Sequence, residues 1–317
     1  MLDIVTLQTV VLLAVFYKVG VPLVLGAYKC FLRPGKKLKK YGEWAVVTGA
    51  TDGIGKALCV EFAKQGLNVF LISRTEAKLV EVEAELKTRF GGSRFGHLAV
   101  DFSGGFDAGK EAAVVAALDT LDVGVLANNV GMSYPFTKYY HELTDAEARD
   151  LLALNVESTF VMTKLALGDE TKGMIARKRG AIVNTSSAAG TQISPLLAGY
   201  SGAKGGIVMF SKSLAAELKP KGIDVQVQTP LFVTTKLAKI KRASLTVPSP
   251  STYAKAAVKA IGYDDAISPF WSHAIQLWLM DCLPTSFAVA IVANMHHAIR
   301  KKGLKKEAAK KEDKKAQ

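Results

Sequence analysis

A chain of 317 residues, 49% of them apolar, holds enough material for one large α/β domain plus extensions. Its three cysteines (Cys30, Cys59, Cys282) are scattered and form no CxxC pair, which excludes a disulfide framework and points to reduced thiols on a cytosolic domain. The five histidines form no metal-ligand pattern, since adjacent His296 and His297 diverge on a helix, so no metal site is expected. The net charge of +13 gathers at two ends, Arg33–Lys40 and Arg300–Lys315. Both basic stretches flank apolar segments and lack interleaved aromatics, so they point to an anionic membrane surface and away from nucleic acid.

Residues Ile4 to Phe31 are apolar except near Lys18, long enough for a bilayer core that needs about 20 residues. Lys18 can extend its ammonium toward the headgroups. Asp3 and the missing basic n-region argue against a cleaved signal peptide. Basic residues follow the segment, so the positive-inside rule puts the downstream domain in the cytosol.

Short apolar runs at Trp44–Thr48, Val69–Ser73, Phe95–Val100, Val123–Ala127, Ala181–Thr185 and Val225–Val227 then alternate with helical windows at Lys56–Gln65, Glu76–Thr88, Asp107–Leu118, Asp145–Leu167 and Ala198–Leu218. This βαβ order predicts a Rossmann-type, doubly wound parallel sheet. A second apolar region, Ile267 to Met295, is split by Asp281 and Pro284 and reads as a broken membrane segment, an interfacial helix or core packing. The expected organisation is an N-terminal membrane anchor with its basic flank (1–40), a catalytic domain (41–266), a C-terminal, membrane-associated apolar region (267–299) and a basic, disordered tail (300–317).

The first strand runs into Gly49-Ala50-Thr51-Asp52-Gly53-Ile54-Gly55 and then a helix. Such a turn lets backbone approach a pyrophosphate, and the helix start offers N–H donors. The second strand ends in Ser73-Arg74. An acid there would bind the ribose of NAD, whereas a guanidinium suits a 2′-phosphate, so NADPH is the expected cofactor. Asp101 at the end of the third strand can accept from an adenine amino group. Asn128-Asn129-Val130-Gly131 at the end of the fourth can brace the sheet and border the cofactor.

Tyr200 and Lys204 stand at i and i+4 on one helix face. A phenol with a reference pKa near about 10 becomes a better acid–base group beside an ammonium. Ser187, thirteen residues before Tyr200 and at a strand end, can hold a carbonyl oxygen as charge develops.

The segments TGATDGIG, NNVG, NTSSAAG and YSGAK together resemble the short-chain dehydrogenase/reductase family over about Tyr41 to Lys241. That resemblance implies a general acid at Tyr200, a carbonyl orienter at Ser187, and a Lys204 that binds nicotinamide ribose and lowers the Tyr200 pKa. It also implies that Asn155, in Leu154-Asn155-Val156, holds a relay water. The cofactor contacts it implies are Thr48, Gly49, Thr51, Asp52, Gly53, Ile54, Gly55, Arg74, Asp101, Asn128, Tyr200, Lys204 and Val233.

The runs TGATDGIGKA, LISRTEAKL, NNVGMSYP and TPLFVTTKLAKI, with both apolar regions, are similar to the very-long-chain 3-oxoacyl-CoA reductases of the endoplasmic reticulum. The similarity implies a long-chain acyl-CoA substrate, other fatty-acid elongation enzymes as partners, and a membrane location. Steroid or retinoid carbonyl reduction and a non-catalytic membrane scaffold are the alternatives. Thr229-Pro230-Leu231 departs from the Pro-Gly of the wider family, as the subgroup does, and bears on the substrate loop's shape. Lys236, Lys239, Lys241 and Arg242 make that loop basic, suiting either the phosphates of CoA or a lipid surface. The terminal Lys314-Lys315-Ala316-Gln317 is similar to a dilysine retrieval signal.

Overall fold

The computed structural model describes residues 4–315. At its centre is a seven-stranded, wholly parallel sheet in the order β3-β2-β1-β4-β5-β6-β7. The strands are β1 (Trp44–Thr48), β2 (Asn68–Ser73), β3 (Phe95–Ala99), β4 (Val123–Asn128), β5 (Gly180–Thr185), β6 (Ile223–Gln228) and β7 (Ala266–Ile267). The order reverses between β1 and β4, which opens a crevice at the carboxyl ends of those two strands.

The helices, in chain order, are α1 (Ile4–Val15), α2 (Val21–Ala27), α3 (Gly53–Lys64), α4 (Glu76–Arg89), α5 (Ala108–Leu118), α6 (Asp145–Leu152), α7 (Ser158–Leu167), α8 (Gly173–Arg177), α9 (Ala198–Leu218), α10 (Pro250–Ala260), α11 (Trp271–Cys282) and α12 (Thr285–Lys315). Successive strand residues point to opposite faces, so β1 sends Ala45 and Val47 to one side and Val46 to the other. The first side packs against Leu58 and Phe62 of α3, Leu79 and Leu86 of α4, and Ala257 of α10. The second packs against Val114 of α5, Met162 of α7 and Ala215 of α9. Each fully buried large side chain such as Phe62 contributes about 1.5–3 kcal/mol.

Three differences from the sequence expectation concern local geometry. The window Asp145–Leu167 is helical throughout, but a π-turn at Ala153–Glu157 separates α6 from α7. The expected boundary after residue 266 cuts β7, whose Ile267 pairs with Gln228 of β6. Residues 300–315, expected to be disordered, continue α12 as helix. Lysine, alanine and glutamate are strong helix formers, and a helix already nucleated on the protein extends through them at little cost.

At the other end of the chain, α1, α2 and the π-turns Phe16–Gly20 and Tyr28–Leu32 make one continuous apolar rod. Among the described residues, Gln8–Leu32 is the one helix long and apolar enough to cross a membrane. The second apolar region forms no single helix, because Leu283-Pro284 divides α11 from α12. Of the dilysine-like ending, Ala316 and Gln317 lie outside the described residues.

The basic flank of the rod is built into the protein. Arg33, only 8% exposed, pairs with Asp264 at 2.7 Å and lies 4.3 Å over the Tyr263 ring. Lys29 reaches the same carboxylate at 2.6 Å. Tyr41 and Lys36 bond Asp224 and the Gly262 carbonyl, and Leu38 is buried in the core.

Candidate active site

The loop after β1 comes first in the chain. A Cβ at Gly55 would sit 2.1 Å from the Gly49 carbonyl oxygen, so only glycine lets α3 start that close to the strand. Asp52 caps α3, accepting from the Gly53 N–H at 2.7 Å, and pairs with Lys236 at 2.7 Å. That pair brings the loop after β6 over the glycine turn. Against the opposing effect of burial, Lys236 and the Gly53 N–H hold the Asp52 carboxyl below its ordinary range.

Thr51 bonds Ser73 at 2.9 Å, joining the turn to the end of β2. Arg74, next in the chain, is exposed. Asp101 stays below the usual carboxylate range: burial opposes this, but the Ser103 N–H and hydroxyl and the charges of Arg74 and Lys110 outweigh it. A glycine turn, a helix N-terminus and an exposed guanidinium without an acid at Ser73 fit a dinucleotide carrying a 2′-phosphate.

Three expected cofactor residues have their side chains in the scaffold. The Thr48 hydroxyl accepts from the N–H groups of Asn129 and Val130 at 3.0 and 3.1 Å, locking β1 to β4. Asn128 is 2% exposed and donates to Thr163 and Asn184, both at 2.9 Å, bracing the sheet against α7. Val233 is 3% exposed and packs in the apolar core on the α3 side.

Ser187, Tyr200, Lys204 and Asn155 come together at the carboxyl ends of β4 and β5. Ser187 stands two residues beyond β5, where its hydroxyl accepts from the Ala189 N–H at 3.2 Å and meets the Tyr200 phenol. Burial pushes the Tyr200 phenol up, and the Ser187 hydrogen bond pulls the other way. Tyr200 is therefore protonated at neutral pH, as a proton donor must be. Lys204 is 4% exposed; burial brings its pKa down to about 8, and Nζ donates to the Thr185 carbonyl at 3.0 Å. Its ammonium is 5.9 Å from the Tyr200 ring centroid. Here Ser187, rather than Lys204 as expected, opposes the upward shift of Tyr200.

Asn155 is fully buried inside the π-turn. Such turns break helical register and often mark functional positions. The Asn155 amide donates to the Met132 and Leu151 carbonyls, both at 2.9 Å, while Oδ1 accepts from the Met132 N–H at 3.3 Å. A Cβ at Gly131 would lie 2.6 Å from Asn155 Oδ1 and 3.2 Å from Lys204 Nζ. Only glycine at 131 thus leaves room for the asparagine and the lysine on either side of it. The sequence singled out its NNVG motif but not this close packing.

Residues 43–245 match the short chain dehydrogenase family. The chain belongs to that family. It is 42% identical to a very-long-chain 3-oxoacyl-CoA reductase-like protein of Arabidopsis thaliana, covering 83% of this chain and 84% of that one. It is 40% identical to the very-long-chain 3-oxoacyl-CoA reductase of Homo sapiens, over 84% and 83% of the two chains. Among solved structures, an actinorhodin polyketide ketoreductase with NADPH is 30% identical at a TM-score of 0.61, covering 73% of this chain and 97% of that one. A 7beta-hydroxysteroid dehydrogenase matches at a TM-score of 0.70 and 23% identity, over 81% and 99%, a likeness of fold.

Proposed function

We propose that this protein is a membrane-anchored oxidoreductase that uses NADPH to reduce the 3-oxo group of a long or very-long-chain 3-oxoacyl-CoA to the 3-hydroxyacyl-CoA. The observation that carries this reading is identity of 36–42% over most of the chain to proteins named very-long-chain 3-oxoacyl-CoA reductase or a reductase-like protein of that kind, on a chain that holds Ser187, Tyr200 and Lys204 together. NADPH, when bound, supplies the hydride; the glycine turn, Arg74 and Asp101 are the residues that would hold it. The Ser187 hydroxyl and the Tyr200 phenol both donate to the substrate's carbonyl oxygen as negative charge grows on it. The Tyr200 proton then passes to that oxygen, completing the alcohol. Lys204 anchors to the Thr185 carbonyl and holds its ammonium 5.9 Å from the Tyr200 ring centroid, favouring the phenolate left behind.

The reading places the catalytic domain on the cytosolic face of the endoplasmic reticulum membrane, beside other enzymes of elongation. Its support is the apolar Gln8–Leu32 helix with basic residues after it, and three cysteines that remain free thiols. The α2 helix packs on α11, and the Phe31 and Trp271 rings lie 6.2 Å apart. That contact supports a position for α11 at the membrane interface. Exposed Ile275 and Leu279 on α11, and Phe287, Ile291 and Met295 on α12, give it an apolar surface for that position. In the loop after β6, Lys236 is paired with Asp52 and Lys239 donates to the Pro135 carbonyl, so Lys241 and Arg242 are the residues offered to the CoA phosphates.

The test uses purified full-length protein in detergent, with NADPH and either a long-chain 3-oxoacyl-CoA or a ketosteroid. Turnover of the acyl-CoA to its 3-hydroxy product supports the reading. Turnover of the steroid alone replaces it with carbonyl reduction of another lipid.

A further inference from the structure

The chemistry described so far uses nothing from α12, yet α12 carries a deeply buried polar side chain. His296 is 4% exposed. Its Nδ1 donates to the Pro195 carbonyl at 2.6 Å, and its backbone carbonyl accepts from the buried Thr137 hydroxyl at 2.6 Å. One turn later, Arg300 makes two 2.6 Å bonds to Glu142, the fork-to-carboxylate geometry that fixes direction as well as distance. Its guanidinium lies 5.0 Å over the Tyr139 ring. From α11, Asp281 adds a 2.6 Å bond to Gln192.

These contacts fall on two loops at the carboxyl edge of the sheet. One runs from β4 through Gly131 and Met132, which touch Asn155, to Glu142. The other runs from Ser187 to Leu197 and feeds α9, which carries Tyr200. The first loop also bonds the second and the start of α9: the Lys138 N–H donates to the Leu196 carbonyl at 3.0 Å, and the Gly199 N–H donates to the Tyr134 hydroxyl at 2.9 Å. Leu196 has φ of +64°, the left-handed region that a leucine side chain opposes. Such a conformation persists only where its surroundings over-determine it. Here Pro195 is held by His296 and the Leu196 carbonyl by Lys138, one helical turn before Tyr200.

We infer that α12 is the outer clamp of the substrate cleft, with His296 and Arg300 as positioning residues that set how the acyl chain is gripped. The inference rests on the acyl-CoA reading above. Their side chains bond Pro195 and Glu142, loop residues outside the Ser187, Tyr200 and Lys204 group, so the clamp acts on the substrate beyond C3 and leaves proton transfer to Tyr200. Its signature is a selective rise in KM for long chains.

The test compares the full-length wild type with Arg300→Glu, Glu142→Arg and the double variant with the charges exchanged. Each is assayed in detergent with a long-chain 3-oxoacyl-CoA and with 3-oxobutanoyl-CoA. Arg300→Glu should raise KM for the long chain about tenfold. KM for the short chain, kcat and NADPH affinity should stay within about twofold, and the exchanged pair should recover most of the loss. Should either single variant fail to bind NADPH, His296→Leu against His296→Asn asks the same question, because the asparagine amide can replace the Nδ1 donor. Leucine should then reproduce the long-chain defect and asparagine should relieve it. The clamp is overturned by equal changes at both chain lengths, by no change at either, or by failure of both the exchanged pair and the asparagine to restore. If the wild type does not turn over acyl-CoA at all, the substrate reading fails first and the proposed grip falls with it; a working wild type with indifferent variants condemns the clamp alone.

Discussion

The two edges of the one parallel sheet do different work. At the carboxyl edge stand the glycine turn after β1, Ser187 beyond β5, and the Tyr200–Lys204 face of α9. At the amino edge, Asp224 near the start of β6 and Asp264 before β7 bind Lys29 at the end of the apolar rod and Arg33, Lys36 and Tyr41 from the segment behind it. The first edge gathers the groups proposed to donate protons and hydrogen bonds to a ligand. The second gathers charges that neutralise each other. The two basic ends of the chain differ in the same way: Arg33 and Lys36 have acidic partners in the fold, whereas Lys301, Lys302, Lys305 and Lys306 line an exposed helix. A run of positive charge therefore has no fixed meaning. Its role depends on whether the fold sets acids and an apolar foothold such as Leu38 opposite it.

If the edges are independent, damage at one should leave the other intact. The largest effect is expected from the chemical edge. Ser187→Ala removes one donor to the carbonyl oxygen and should cut kcat by roughly 10²–10³-fold, with thermal stability unchanged. A parallel loss of Tm would show that Ser187 serves mainly to cap the turn at Ala189. Arg74→Ala should weaken NADPH binding by about 1.5–3 kcal/mol and NADH binding far less. Fluorescence titration of both cofactors reads this directly, and equal weakening removes Arg74 from 2′-phosphate recognition.

At the amino edge, Asp264→Ala leaves Arg33 buried without its carboxylate. A loss of about 1.5–3 kcal/mol, seen as a Tm several degrees lower in detergent, should accompany near-normal turnover. Replacing Lys301, Lys302, Lys305 and Lys306 by Gln should move Tm by less than about 1 °C, because exposed charges contribute little. If the tail substitutions cost as much as Asp264→Ala, the contrast between the two basic ends is wrong.

The carboxyl edge was readable in the sequence because its signals are local. Gly49 to Gly55, Ser73-Arg74, Ser187 and the Tyr200–Lys204 pair each sit at a strand end or on one helix face, so period and spacing place them. All six predicted strands recur within about two residues of their expected bounds. The amino edge was not readable, since Lys29 and Asp264 are 235 residues apart and no spacing rule joins them. The short β7 and the helix α10 were missed for a related reason: two residues are too few for a periodic signal, and a long loop separates α10 from β6 and so hides the βαβ alternation. The π-turn around Asn155 was hidden because its residues keep a helical pattern. Its cause is tertiary, the fit of Asn155 against Met132 beside Gly131.

The central claim is that Tyr200 gives its proton to the substrate's carbonyl oxygen. Tyr200→Phe keeps the ring and its packing and removes only the hydroxyl. Single-turnover NADPH oxidation by this variant, with a saturating long-chain 3-oxoacyl-CoA and hydride transfer limiting the rate, should be slower than wild type by about 10²–10⁴-fold, with NADPH affinity retained. A variant that keeps more than about a tenth of the wild-type rate would contradict the assignment of Tyr200 as the acid.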